Sequence, residues 1–434
     1  MVSANGLVIA APRSSSGKTL VTLGLLAALR ARGLTVAPAK TGPDYIDRAI
    51  LARASGAEAI NLDPWAMPPA RLRALASAHA AGCDMLLVEG VMGLFDAAAD
   101  GKGSTGDLAA ALGLPVILVL DAERQGQSIA ALVSGFARWR SDVRIVGLIV
   151  NRVATTRHEA MLRAALTETG IPILGVLPRR DELVLPERHL GLVLPSEIAA
   201  FDTIVESAGT LVENYLDLNQ FLSFSEWVTP PDIMEQFVHL SPLGQRIAIA
   251  RDDAFRFLYP HWLADWHAAG ASITFFSPLA DEHPETDSDA VFLPGGYPEL
   301  HGARLAASAR FRSGLTSARD RGALIYGECG GYMVLGDTLT DASGVTHRMA
   351  GLLPLETRID RPKRTLGYRR LRHASPLPWP ADLMGHEFHY STGKTTTGTP
   401  LFAATDALGD PQPAMGLVDG RVMGSYAHVI DVAA

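Results

Sequence analysis

Short apolar runs alternating with helical spacings set the pattern of the first half of the chain. Leu7, Val8, Ile9 and Ala10 form the first run, and Leu20, Leu23, Leu26 and Leu29 follow at the spacing that turns one helix face into a core. Residues 34–40, 85–88, 116–120, 145–150 and 171–177 read as further strands, and 125–139 as a helix. Strands alternating with helices at this rhythm predict a doubly wound, mostly parallel α/β sheet.

Beyond it, Ile204, Ala208, Leu211, Val212, Tyr215, Leu218 and Leu222 recur at helical spacing, predicting a long helix that packs on the first domain. A breaker, Val228-Thr229-Pro230-Pro231-Asp232, then precedes a second series of strands at 247–250, 273–276, 290–293 and 323–326. The expected division is a first domain over 1–200, a helix and linker over 201–244 and a second α/β domain over 245–434.

Composition narrows the class of partner. The 434 residues, 48% hydrophobic and 19% charged, suit two ordinary globular domains. A net charge of −8 argues against a nucleic-acid backbone as partner. No apolar segment approaches the about 20 residues of a membrane span, and the N-terminus has no leader pattern. With 2 cysteines a disulfide framework is not expected, so the reading is a reducing, cytoplasmic setting.

Candidate chemistry gathers where strands end. Between the first strand and helix lies Ala11-Pro12-Arg13-Ser14-Ser15-Ser16-Gly17-Lys18-Thr19, a phosphate loop with proline where the pattern has its first glycine. Ser14, Ser15, Ser16 and Gly17 would offer backbone N–H groups to ATP phosphates, Lys18 a full charge, and Thr19 a hydroxyl to Mg²⁺. After the second strand, Lys40, Asp44, Tyr45 and Asp47 are candidates for phosphate, metal or substrate contact, or for a plain turn. Glu89 closes an apolar strand as a second Mg²⁺ ligand would, unless it is a strand-end acid in solvent. Asn151, also at a strand end, would read the adenine edge or serve a turn.

In the second half, Gly327-Glu328-Cys329-Gly330-Gly331 is a sulfur counterpart of the nucleophile elbow, with Cys329 at a helix start that favours the thiolate. His428 is the candidate base, and Asp431, three residues on, would orient its ring or lie on the surface. Pro294-Gly295-Gly296-Tyr297 leaves backbone N–H groups to hold an anion. Gly385-His386-Glu387-Phe388-His389-Tyr390-Ser391 lacks the spacing of a zinc helix and fits a strand, with His386, His389 and Tyr390 as substrate contacts.

Taken together, K-T-G-P-D-Y-I-D, V-E-G-V-M-G-L-F-D, L-P-G-G-Y-P-E-L, Y-G-E-C-G-G-Y-M and G-H-E-F-H-Y-S resemble the cobyrinic (hydrogenobyrinic) acid a,c-diamide synthases, the CobB/CbiA family, along nearly the whole chain. The resemblance implies a dethiobiotin-synthetase-like phosphate-loop domain followed by a class I glutamine amidotransferase domain. It implies that ATP activates the a and c carboxylates of a corrin-ring tetrapyrrole as acyl phosphates, which ammonia from L-glutamine converts to amides, with Mg²⁺ as cofactor, in cobalamin biosynthesis. Carried over residue by residue, Thr19, Asp44 and Glu89 correspond to the metal site, Cys329 and His428 to the glutaminase pair, and Gly295, Gly296 and Gly330 to the oxyanion hole. Two departures stand out: Ser15 replaces a glycine of the family loop, and Ile430 stands where a second histidine is common. Cobyric acid synthase, a nickel-sirohydrochlorin a,c-diamide synthase and a ParA/MinD-like nucleotide switch are the competing readings; the ring's metal is left open, leaning to metal-free hydrogenobyrinate, and a homodimer is compatible.

Overall fold

The computed structural model describes residues 4–180, 183, 185–188, 191–193, 195–228, 230, 238–395 and 397–433. The chain divides into two compact units, Met1–Phe237 and Val238–Ala434. Thr229, Pro231 and Asp232 of the expected breaker lie outside the described residues.

In the first unit the elements run β1 (Asn5–Ala10), α1 (Lys18–Ala31), β2 (Val36–Thr41), α2 (Tyr45–Ser55), β3 (Ile60–Leu62), α3 (Pro69–Ala80), β4 (Met85–Glu89), α4 (Thr105–Leu112), β5 (Val116–Asp121), α5 (Ile129–Trp139), β6 (Ile145–Val153), α6 (Thr156–Thr167), β7 (Ile173–Pro178) and α7 (Phe201–Tyr215). The sheet order β3-β2-β4-β1-β5-β6-β7 is parallel throughout, with Glu226–Trp227 added antiparallel at the start of β1. The doubly wound reading of the sequence is therefore met. Parallel strands covered on both faces need apolar side chains on both, and β4 and β5 are buried at every position. All loops after the strand C-termini open on one edge, beside the central strand β1, where such sheets bind ligands. The long helix α7 packs on α1: a Cβ added at Gly24 would come within 2.6 Å of the Ala208 carbonyl oxygen, and one at Gly209 within 2.7 Å of the Ala27 Cβ. The segment read as a join thus completes the first unit's layer. β3 escapes a sequence reading because three residues carry too little periodicity, and α5 starts four positions later than read because 125–128 form turns.

The second unit holds β8 (Arg246–Ala250), β9 (Ser272–Phe276), β10 (Ala290–Leu293), β11 (Leu324–Glu328), the short helix α8 (Gly330–Leu335), β12 (Thr365–Arg372), β13 (Asp382–His389), β14 (Leu417–Asp419), β15 (Val422–Ser425) and β16 (Ala427–Val432). Its main sheet runs β9-β8-β10-β11-β15-β14, parallel except for the β14–β15 pair. An antiparallel sheet places β13 between β12 and β16. The core is formed by residues such as Phe255, Val291, Phe311 and Ile325, all at most 1% exposed. β15 and β16 belong to different sheets yet are separated by Tyr426 alone, which carries the chain from beside Cys329 into the antiparallel sheet.

Candidate functional site

Two clusters of chemically capable side chains form, one in each unit. In the first, the loop after β1 is braced by the end of β6: the Asn151 amide nitrogen donates to the Ser16 carbonyl at 3.1 Å and Arg152 to the Ser15 carbonyl at 2.9 Å. Ser16 Oγ donates to the Arg13 carbonyl at 3.0 Å, while Ser14 is exposed. Ser15 is left-handed at φ 61° and Gly17 at φ 84°, a turn that gathers backbone N–H groups toward the start of α1. A serine holds here a conformation that favours glycine, at a cost of about 1–2 kcal/mol. The Asn151 carbonyl oxygen accepts from the Arg152 N–H at 3.0 Å, so both ends of the amide offered to adenine are engaged in bracing the loop.

Behind the loop, Thr19 Oγ1 donates to Glu89 Oε1 at 2.7 Å, and Lys40 Nζ reaches the same oxygen at 2.9 Å and Asp47 at 2.5 Å. Burial opposes the charge on Lys40, but Asp47, Glu89 and Asp44 outweigh it and hold it above the ordinary lysine range. Lys18 Nζ donates to the Met92 carbonyl at 2.5 Å, and burial, then Lys40, lowers its pKa to about 8. Asp44 caps α2, accepting from the N–H groups of Ile46 and Asp47 at 2.8 and 3.0 Å, and burial followed by the Asp47 charge raises its carboxyl to about 6. Tyr45, the first residue of α2, is buried. Lys40 and Tyr45, offered to substrate by the sequence, are thus enclosed, and Asp47 is the partly exposed member.

Glu89 is completely buried, yet its Oε2 has no hydrogen-bond partner. Such an orphaned carboxylate oxygen next to the Thr19 hydroxyl is a fitting donor pair for Mg²⁺. Among the described residues no group of three or more His, Cys, Asp or Glu is arranged to hold a metal. Sequence reasoning missed Asp121, whose Oδ2 meets both Arg13 and Arg152 at 3.1 Å beside the loop. Its signal was the same as that of Glu89, an acid closing an apolar strand.

In the second unit Cys329 stands between β11 and α8 at φ 46° and ψ −105°, the strained geometry of a nucleophile elbow. Its N–H donates to the Ser425 carbonyl at 2.8 Å. His428 on β16 lies close enough to Cys329 for the two to interact electrostatically. Burial opposes a charge on the ring, but Cys329 and Glu328 outweigh it and raise His428 to about 9. The glycine run is fitted around this pair: a Cβ on Gly295 would lie 2.3 Å from His428 Cε1, and one on Gly330 would lie 3.0 Å from the Gly296 nitrogen. The Gly330 N–H, first of α8, has no acceptor inside its helix. The amides that would face an oxyanion are therefore close together.

β13 is a strand, as its alternation predicts, and it places His386 opposite His428. The two imidazoles stack with centroids 5.0 Å apart, and His386 Nε2 is hydrogen-bonded to the Tyr259 hydroxyl at 3.0 Å. Burial, then His428 and Arg369, pushes His386 well below its ordinary pKa. On the other face of β13, Glu387 joins Arg369 at 2.7 Å and His389 at 3.3 Å, and His389 stacks on Tyr426 at 4.4 Å. His386 and His389 thus belong to the surroundings of His428 and Tyr426, whereas the sequence offered them to a ring substrate; strand pairing with β16 decides their place. Tyr390, also read as a substrate contact, is partly exposed, and its carbonyl accepts from Lys363 N–H at 3.0 Å.

Asp431, read as the residue that orients His428, lies beyond a bulge in β16. Gly385 pairs with Val429 and Met384 with Asp431, so Ile430 is extra, and its carbonyl is taken by His261 and Trp262 at 2.9 and 3.1 Å. The carboxylate facing His428 Nδ1 is that of Glu328, at 3.7 Å, which the sequence reading passed over.

Comparison with known proteins matches a family to each unit. Residues 7–193 match the CobQ/CobB/MinD/ParA nucleotide binding domain, and residues 246–433 match the CobB/CobQ-like glutamine amidotransferase domain. A hydrogenobyrinate a,c-diamide synthase of Brucella suis biovar 1 is 54% identical over 98% of each chain. Proteins of the same name from Rhizobium meliloti, 50% identical over 98% of this chain and 99% of that one, and Rhodobacter capsulatus, 47% identical over 98% of each, extend the likeness. A phosphate loop backed by a buried acid and a cysteine elbow with its histidine, on a chain this similar to those proteins end to end, mean that the chain belongs to the CobB/CbiA family of a,c-diamide synthases, glutamine amidotransferase-type ligases that form C–N bonds.

Proposed function

We propose that this chain amidates the a and c side-chain carboxylates of hydrogenobyrinate, using ATP and L-glutamine. The observation that carries this reading is the pairing, on one chain, of the buried Cys329–His428 couple with the Lys18–Thr19–Glu89 cluster. One supplies ammonia and the other activates its acceptor. The relatives' name, hydrogenobyrinate a,c-diamide synthase, supports this choice of ring.

The chemistry follows from these residues. A substrate carboxylate oxygen attacks the γ-phosphorus of ATP, the bond to the β-phosphate oxygen breaks, and ADP leaves. Lys18 and the loop N–H groups bear the phosphate charge, and Thr19 with Glu89 would hold Mg²⁺, with Asp44 and Asp47 close behind. When bound, Mg²⁺ neutralises phosphate oxygens. In the other unit the Cys329 thiolate attacks the glutamine side-chain amide, the Gly296 and Gly330 amides bear the oxyanion, and His428 gives its proton to departing ammonia. Water then cleaves the thioester to glutamate. Ammonia attacks the acyl phosphate and phosphate leaves.

The test offers hydrogenobyrinate and cobyrinate in parallel with ATP, glutamine and Mg²⁺. Two amides on hydrogenobyrinate are expected, and Cys329→Ala should make them only when ammonia is supplied. ATP turnover stimulated by neither ring, but by nickel-sirohydrochlorin, would overturn the assignment.

A further inference from the structure

Beyond the cysteine and histidine, the structure assigns a third member to the glutaminase centre: we infer that Glu328, the residue immediately before the nucleophile, positions and charges His428. The inference rests on the glutaminase reading above and adds a residue that the family resemblance does not supply.

Glu328 ends β11 and is 1% exposed. A buried carboxylate is costly unless its oxygens are occupied. One oxygen, Oε1, accepts from the Tyr326 hydroxyl at 3.0 Å and from the Val429 N–H at 3.0 Å. These two bonds tie Glu328 to the residue after His428 and fix the carboxylate in direction. The other oxygen, Oε2, is thereby turned to His428 Nδ1 at 3.7 Å. That leaves Nε2 for the sulfur, the tautomer a general acid–base needs. The parallel pairing of β11 with β15, Glu328 against Ser425, sets both ends of this arrangement from one register.

The other groups around the ring are consistent with a charge on His428. Cys329 faces it from the elbow and Glu328 from β11, both favouring imidazolium. His386 faces it from β13, hydrogen-bonded to Tyr259 and kept from taking a proton of its own by burial, then by His428 and Arg369. Phe257 packs at 6.1 Å and brings no charge. A neutral neighbour stacked on one side and a fixed carboxylate at Nδ1 keep one imidazole, not two, as the proton carrier.

Glu328→Gln retains the shape and the bond from Tyr326 while removing the charge. Glutamine-dependent kcat should fall by about 10²- to 10⁴-fold with KM for glutamine little changed, as when a carboxylate behind a catalytic histidine is neutralised. Synthesis from free ammonia should be unchanged, which establishes folding. Iodoacetamide alkylation of Cys329 against pH supplies a further readout: its upper limb, set by His428 losing its proton near 9 in the parent, should move to lower pH in the variant. A kcat within twofold of the parent with an unmoved profile overturns the inference. So does equal loss of glutamine- and ammonia-driven synthesis, which marks a structural residue. An Asp431→Asn variant that moves the profile in place of Glu328→Gln also overturns it. Should the parent itself hydrolyse no glutamine, the glutaminase reading has failed, and that is a different result.

Discussion

Lys18 illustrates how burial readies a cation for an anionic partner. Burial and Lys40 bring its pKa to about 8, so anionic phosphate, which favours the charged form, binds best where the lysine is protonated. Nucleotide affinity is therefore expected to fall as pH rises through 8 to 9, with proton uptake on binding above pH 8; calorimetry in buffers of different ionisation enthalpy reads this directly. Ser15 is the second residue-scale case. Its φ of 61° suits glycine and disfavours a β-branched side chain, so Ser15→Val should be less stable than Ser15→Gly by about 1 kcal/mol or more in urea titrations. The sequence offered Lys18 and Thr19 through the phosphate-loop pattern, Glu89 and Cys329 at the ends of apolar strands, and His428 as the histidine near the C-terminus. Glu328 was not offered, because a residue beside a nucleophile reads as part of its turn, and only the fold shows where its side chain points.

At the scale of elements, the packing of α1 on α7 depends on what is missing at Gly24. A methyl group there would meet Ala208 O and Val212 Cγ2, each at 2.6 Å. Gly24→Ala gains helix propensity of about 1 kcal/mol but overpacks the contact, and a net loss of about 1–2 kcal/mol with a lowered Tm is expected in thermal melts. The parallel sheets were readable as apolar runs, since both of their faces are covered. The antiparallel sheet of β12, β13 and β16 was mostly not, because its half-exposed strands such as β12 alternate weakly, and the bulge at Ile430 shifts the register of the residues beyond it.

Across the whole molecule, each of the two units carries its own main sheet and its own cluster of candidate residues. The expectation is one glutamine hydrolysed for each ATP consumed during synthesis; glutamate and ADP measured in the same reaction check it, and large release of free ammonia would contradict it. Among the described residues no helix is long and apolar enough to cross a membrane. The order of the motifs along the chain was visible without coordinates, but the membership of each cluster was not. His386 and His389 stand 42 and 39 positions from His428, and only strand pairing shows that they share its neighbourhood.

The clearance at Gly295 has a consequence for how such chains obtain nitrogen. Any side chain there would collide with the catalytic imidazole at 2.3 Å while leaving the phosphate-loop unit untouched. A single methyl group, Gly295→Ala, is therefore expected to turn the enzyme into one that feeds only on ammonium, with glutamine ignored and ATP-driven synthesis intact when ammonium is supplied. The residue at this one position then becomes a marker of diet: a relative that carries alanine or serine here should need ammonium-rich surroundings, and growth on limiting ammonium would expose it.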